Sequence, residues 1–167
     1  MDRVAMTVLL GIDPGSRTTG FGVLKQGPGD HLEVLTAGCI HLRQGDLASR
    51  LSELYQGMVE LITLYRPDHA AVEQVFVKHY PAAALKLGHA RGAIMVALAQ
   101  HGVPIAEYAP RLVKKNVVGV GQADTAQVQH MVSRMLGLTT TVPSDAADAL
   151  AIAMCHANVL RNPLHRI

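Results

Sequence analysis

The sequence predicts an α/β fold in which a five-stranded mixed sheet is flanked by helices on both faces. Three extended segments joined by short turns come first, between residues 8 and 40. From residue 47 the apolar residues recur at helical spacing, and strands then alternate with helices. The 167 residues, of which 49% are apolar, are enough for one domain with its own core. We expect that domain to span residues 1–167, with a short tail at about 161–167.

The first three segments are expected to form an antiparallel meander that begins with a buried central strand. Residues 8–12 are uncharged and rich in branched side chains, which is typical of a strand covered on both faces. Residues 19–24 and 32–40 supply the next two strands, and the segment between them is a glycine-rich turn. The first strand leads into Asp13-Pro14-Gly15-Ser16, where proline and glycine turn the chain at once.

The rest of the chain is predicted to alternate helices with two further strands. A helix from residue 47 ends at Arg66-Pro67, because the residue before a proline disfavours the helical conformation. A strand at 69–75 carries Glu73. A helix at 82–100, apolar around much of its surface, is either an ordinary core helix or one packed between the sheet and a second subunit. A strand follows at 103–108, then a short helix with a glycine-bearing loop at 111–121, and helices at 124–136 and 145–160.

Composition limits the compartment and the partners. Charged residues make up 17% of the chain, below the roughly 25% usual for soluble domains, so we expect a partner subunit to cover part of the apolar surface. Cys39 and Cys155 are far apart and form no disulfide framework, which favours a reducing cytoplasm. No signal peptide is visible, and no apolar run reaches the length of a membrane span. The net charge of +2 is compatible with nucleic acid without arguing for it.

Four acidic residues stand in otherwise apolar surroundings. Asp13 ends the first strand, Glu73 lies on the fourth, and Asp145 and Asp148 share one face at the start of the last helix. Asp13 also has an ordinary explanation as a turn former, and Asp145 as a helix cap. Gathered in one place, four carboxylates without His or Cys suit Mg²⁺ or Mn²⁺. Two such ions would serve phosphodiester hydrolysis, with Asp13 as the bridging ligand.

Five motifs, in this order, resemble the RuvC family of Holliday junction resolvases. They are GIDPGSRTTG at 11–20, EQVF at 73–76, ALKLGHARG at 84–92, QVQHM at 127–131 and DAADALA at 145–151. The resemblance implies a ribonuclease-H-like fold and a bacterial cytoplasmic homodimer that acts in homologous recombination and DNA repair. It further implies paired, symmetric nicks across a four-way DNA junction, and a branch-migration helicase complex of the RuvAB kind as partner. The family's catalytic and metal-binding quartet falls on Asp13, Glu73, Asp145 and Asp148.

The resemblance also implies an aromatic wedge close to the acids. Phe76 matches a family aromatic residue near the junction centre, where such a side chain can unstack bases. Without the resemblance, a core residue at the end of a strand is the commoner explanation. Lys78 follows in the same loop and is expected to touch phosphate.

Basic residues around the glycine loop form the second implied DNA contact. Lys114 matches a basic residue of the family, and Arg111 and Lys115 extend it to a patch that would follow the DNA backbone. A solvated helix face is the alternative explanation. A second lysine of the family falls at Thr125, where this chain has no cation, and Lys115 is a candidate to replace it.

Two other functions compete with a nuclease. Actin-like ATPases and sugar kinases also use an Asp-x-Gly turn after a first strand, but they need two such lobes, and this chain has one such turn. A junction-binding dimer without activity is the other alternative. The intact quartet argues against it, because clustered acids repel DNA phosphate unless a cation is present.

Overall fold

The computed structural model describes residues 6–75 and 81–162, in which the chain forms the predicted mixed sheet. Its strands are β1 (Thr7–Asp13), β2 (Thr18–Gln26), β3 (Leu32–His41), β4 (His69–Glu73) and β5 (Ile105–Tyr108). Their order across the sheet is β3-β2-β1-β4-β5. β1 is therefore the central strand, antiparallel to β2 and parallel to β4. The prediction that the first strand is central and buried is confirmed.

Helices cover both faces of this sheet, as predicted. They are α1 (Leu47–Tyr65), α2 (Pro81–Gln100), α3 (Pro110–Val118), α4 (Thr125–Leu136) and α5 (Ser144–Arg161). α1 and α2 share one apolar core with the sheet, and α3, α4 and α5 share the other.

Local sequence signals determine where some of the helices begin. The Asp46 side chain accepts a hydrogen bond from the backbone N–H of Ser49 at the start of α1, and Asp124 and Gln127 form a capping box at α4.

The two-residue period of the strands assigns the acidic side chains to one face of the sheet. On β1, Leu10 and Ile12 belong to the core shared with α1 and α2, whereas Leu9 belongs to the core shared with α5. Asp13 lies four residues after Leu9 and therefore shares its face. On β4, Glu73 lies two residues after Ala71, which is also in the α5 core. Both carboxylates consequently point to the side covered by α5.

Two glycines allow α5 to lie directly on the backbone of β1 and β2. A Cβ atom at Gly11 would lie 2.0 Å from the carbonyl oxygen of Ala149. A Cβ atom at Gly20 would lie 2.0 Å from the carbonyl oxygen of Asp145. Only a residue without a side chain fits at such separations. Because Gly20 pairs with Asp13 in the sheet, this close approach brings the first turn of α5 to the end of β1.

Helix α2 contradicts the expectation that no apolar segment reaches the length of a membrane span. Among the residues that the structure describes, this helix has the length and the mean hydropathy, 1.2, of a segment that could cross a membrane. Ala90, Ile94 and Ala97 nevertheless pack into the core shared with α1, and Arg91 forms an ion pair with Glu107 on β5. Core helices meet the same criterion, so the property by itself is a weak indication of a membrane.

Candidate active site

Three aspartates from distant parts of the chain meet at the carboxyl end of β1. Asp13 is the last residue of β1, and Asp145 and Asp148 lie at the start of α5. One carboxylate oxygen from each of the three residues lies within 4.8 Å of the other two. The three-residue spacing puts Asp145 and Asp148 on one face of the helix, and the contact at Gly20 holds that face near Asp13.

Glu73, the fourth predicted acid, borders this group without belonging to it. It ends β4, the strand parallel to β1, and it faces α5. Its charge raises the pKa of Asp13, and the charge of Asp148 raises the pKa of Glu73 itself. Glu73, on β4, therefore interacts electrostatically with Asp13 and Asp148.

Burial and mutual repulsion raise the pKa values of these acids. The pKa of Asp13 rises from 3.8 to about 8, first through burial and then through the charges of its acidic neighbours. The pKa of Glu73 rises from 4.5 to about 7, through burial and then Asp148. The pKa of Asp148 rises from 3.8 to about 6, through burial and then Asp145. Near neutral pH, Asp13 is mostly protonated, Glu73 is about half protonated and Asp148 is mostly ionised unless a cation offsets their charge.

Lys114 is the predicted basic residue that the structure places beside the acids. It lies half-buried on α3, and its charge lowers the pKa of both Glu73 and Asp148, opposing the effect of burial. Val113 and Val117, on the same helix, are buried in the core shared with α5 and hold α3 in place. A single ammonium group therefore stands close to at least two of the carboxylates.

Arg111 and Lys115, unlike Lys114, are not among the residues whose charges shift the pKa values of the acids. Arg111 and Lys115 are exposed on α3. Thr125, where the resemblance would place a lysine, is the exposed first residue of α4. Phe76 and Lys78 lie outside the described residues, so their roles stay predictions.

Cys39 is a neighbour of the acids that sequence analysis did not identify. It pairs with Gly20 across β2 and β3, and Gly20 in turn pairs with Asp13. Burial raises the pKa of the Cys39 thiol, and the charges of Asp145 and Asp13 raise it further, while a hydrogen bond from the backbone N–H of Ala146 opposes them. The register of the two strand pairs is the only signal for this placement, since nothing in the local sequence marks it.

Residues 9–156, nearly the whole chain, match the sequence model of one protein family. That family is described as crossover junction endodeoxyribonuclease RuvC. The chain belongs to the RuvC family. Two relatives of that name are a protein from Vibrio vulnificus (strain CMCP6), 54% identical over 153 residues, and one from Haemophilus influenzae (strain PittEE), 52% identical over 160 residues. These matches cover 92% and 96% of this chain and 88% and 84% of the two relatives.

Solved structures of RuvC proteins have the same fold. A Thermus thermophilus RuvC structure is 36% identical with a TM-score of 0.83, and the match covers 92% of this chain and 95% of that one. T. thermophilus RuvC in complex with Holliday junction substrate is 35% identical with a TM-score of 0.86, covering 93% and 95%. The yeast mitochondrial Holliday junction resolvase Ydc2, 13% identical with a TM-score of 0.63 over 88% and 77%, shares the fold alone. The expected ribonuclease-H-like architecture is confirmed.

RuvC nucleases are metal dependent, and the donor set of this chain fits a divalent cation. Three carboxylates supply oxygens within 4.8 Å of one another, and carboxylate oxygen is a preferred ligand of hard cations. The raised pKa values also indicate that these acids suit a cation. These acids repel one another when no cation is bound, and a divalent charge in their midst would remove that repulsion.

Proposed function

We propose that this chain is a structure-selective endodeoxyribonuclease that resolves four-way DNA junctions by paired, symmetric nicks in homologous recombination and DNA repair. The observation that carries the proposal is the half-buried group of Asp13, Asp145 and Asp148 at the carboxyl end of the central strand of a RuvC fold. RuvC from T. thermophilus, whose structure has a TM-score of 0.86 to this chain, has been solved in complex with a Holliday junction substrate.

The proposed cofactor is Mg²⁺ or Mn²⁺, with two ions in each active site. Asp13, Asp145 and Asp148 would hold the ions, and Glu73 would contribute from the β4 side. When bound, two such ions activate the attacking water and stabilise the leaving 3′ oxygen. The proximity of the three aspartate oxygens and the absence of His and Cys from their group support this choice over Zn²⁺.

The chain's own residues would orient the scissile phosphate. Asp13 ends the central strand, and the charges of the three other acids raise its pKa, which supports its place in the proposed quartet. Lys114 would offset phosphate charge as the DNA backbone approaches, because its ammonium group already interacts with Glu73 and Asp148. The proposed roles are therefore ion binding for the quartet and phosphate binding for Lys114.

Further DNA contacts are proposed on both sides of the acids. Arg111 and Lys115 would follow the backbone from the exposed side of α3, which their exposure supports. Phe76 would wedge between bases at the centre of the junction, and Lys78 would contact phosphate in the same loop. The family resemblance supports these two assignments.

A homodimer would supply two such sites to a junction of near two-fold symmetry. The exposed side of α2 supports this assembly. Leu85 and Val96 are 63% and 50% exposed, and a Cβ atom added at Gly88 or Gly92 would meet no other atom within 4 Å. These residues recur every three or four positions, so they form one apolar stripe in which the glycines leave room for a second helix.

The remaining assignments follow from the family. A branch-migration helicase complex of the RuvAB kind is the proposed partner, and the bacterial cytoplasm is the proposed location, since the relatives are bacterial. We also propose that residues 1–167 form a single nuclease domain, because the family match runs from residue 9 to residue 156 and α5 packs on the strands of the N-terminal half.

A cleavage assay on a synthetic mobile four-way junction tests the proposal. We expect paired cuts at symmetric positions in Mg²⁺ or Mn²⁺ and none in EDTA, with Asp13→Asn binding the junction without cutting it. Mapping both cut sites against a linear duplex of the same sequence shows whether the activity selects structure. Junction binding without cutting in either metal would favour the silent dimer, and ATP binding without cutting would favour the actin-like alternative.

A further inference from the structure

A groove between the N-terminal parts of α1 and α2 lies outside the acidic site. We call it the α1–α2 groove, and it encloses about 370 Å³. Residues from three segments line it, among them Ser16, Arg50, Leu51, Leu85, Lys86 and His89. Most of the residues that line it are apolar. Its volume is in the range of sites that bind small ligands or single nucleotides.

The charge of this groove has one sign. Arg50 and Lys86 are cations, and none of the described residues that line the groove is acidic. The nearest acid along the chain, Asp46, is engaged at the start of α1, where it accepts hydrogen bonds from the backbone N–H and the hydroxyl of Ser49. The groove is therefore complementary to an anion with an apolar part, which describes a deoxyribose-phosphate backbone.

A second groove on the other side of α1 provides a contrast. It is also apolar, but the charged side chains among its described lining residues are Glu53, which forms an ion pair with Arg43, and Glu60. α1 thus separates a cationic groove from an acidic one. A polyanion passing over this side of the protein would be attracted to the first and repelled by the second.

Ser16 connects the α1–α2 groove along the chain to the acidic site, because it lines the groove and follows the carboxyl end of β1. Ser16 lies three residues after Asp13, in the turn that leaves β1, and the exposed Arg17 follows it. The Arg50 guanidinium donates a hydrogen bond to the carbonyl oxygen of Ser16, which ties the groove to this turn.

We propose that the α1–α2 groove binds the phosphodiester backbone of the junction DNA beyond the scissile phosphate, with Lys86 and Arg50 as its phosphate contacts. The proposal rests on the proposed function, since it takes junction DNA as the substrate of the acidic site. Leu51 would contact the sugar face, and the anchored Arg50 would contribute a guanidinium whose position is already set. The segment that carries Lys86, ALKLGHARG at 84–92, then acquires a role in substrate binding.

The test compares junction binding by Lys86→Ala, Lys86→Arg and Lys25→Ala, each in an Asp13→Asn background that prevents cutting. The probe is a synthetic four-way junction, with a linear duplex in parallel, and the Kd is measured over a range of salt concentrations. Lys25 pairs with Val8 at the end of the sheet opposite Asp13, so it serves as the control. Both subunits of the proposed dimer carry Lys86, so the variant loses two phosphate contacts. This loss lowers the slope of log K against log salt by about 1.8, which reduces the rise in Kd over a fourfold salt increase about twelvefold.

We expect this loss for Lys86→Ala on both DNA forms, retention of the slope for Lys86→Arg, and no change for Lys25→Ala. An unchanged slope for Lys86→Ala would overturn the proposal while leaving the nuclease assignment intact. Weaker binding accompanied by loss of the dimer in sedimentation would overturn it as well, because the groove would then be an interface between copies. Failure of the wild-type protein to bind or cut the junction is a separate outcome that would overturn the proposed function, and this inference with it.

Discussion

Replacement of Asp13 by asparagine should stabilise the protein in the absence of divalent cations, and more so at higher pH. Asparagine keeps the size and shape of the side chain but carries no charge into the buried end of β1. The pKa of Asp13 in the folded protein, about 8, lies above its ordinary value of 3.8. The stability that the protonated Asp13 contributes is fully present below pH 3.8. It decreases as the pH rises and is lost above about pH 8.

The size of the effect follows from the same two pKa values. At a pH near 7.5, folding must either place a proton on Asp13 or bury its charge. This pH lies about 3.7 pH units above the ordinary pKa of 3.8, which limits the cost to about 5 kcal/mol. Relaxation and water entry reduce the penalty of a buried charge, leaving about 2 kcal/mol or more. For a chain of this length, about 2 kcal/mol corresponds to a rise in Tm of roughly 4–8 °C.

Thermal unfolding in EDTA across the range from about pH 4.5 to about pH 8 measures this difference. The Tm advantage of Asp13→Asn over the wild type should grow with pH, because only the wild type has the carboxyl to ionise. Added Mg²⁺ should raise the Tm of the wild type more than that of the variant, since the variant lacks one ligand. Glu33→Gln, at an exposed carboxylate on β3, is the matched control. A variant whose Tm difference from the wild type does not depend on pH would refute the electrostatic reasoning.

Four further predictions concern other parts of the molecule. Gly20→Ala should displace the start of α5, destabilise the fold by about 1–3 kcal/mol and lower the cleavage rate by about 100-fold, whereas Gly45→Ala, in open space, should leave both unchanged. Lys114→Ala should raise the pKa of nearby acids, so the acidic limb of the pH–rate profile should move to higher pH; an unmoved limb would contradict this. Phe76→Ala should weaken junction distortion, followed by fluorescence of a base analogue at the crossover, while metal binding measured by calorimetry stays intact. Val96→Glu should convert the dimer to a monomer in analytical ultracentrifugation, and a persistent dimer would show that α2 is not the interface.

Much of the fold follows from short-range patterns. The uncharged run at 8–12, the helical spacing from Leu47 and the stop at Arg66-Pro67 all correspond to elements in the structure. Boundaries shift by a few residues, as at β4, which ends at Glu73 instead of residue 75. These patterns succeed because strand and helix periods, turn residues and caps act over a few neighbouring residues.

The acidic site was predictable in composition but only partly in geometry. Asp13 and Glu73 were predicted on strands and Asp145 and Asp148 on one helix face, and the structure agrees with those placements. It separates Glu73 from the group of three aspartates, brings Lys114 to the acids and places Cys39 beside them. None of these three findings has a local signal, since each depends on strand order, register and the way α3 packs against α5.

The sequence by itself determined which residues form strands and helices, which side chains share a face, and that four acids lie in apolar surroundings. Tertiary structure alone decided how far apart those acids are, because the distance between β1 and α5 depends on backbone contacts at Gly11 and Gly20 between segments remote along the chain. Burial then determined their protonation, since desolvation is the largest cause of each raised carboxyl pKa. Desolvation depends on everything packed around a group, and local sequence does not contain that information.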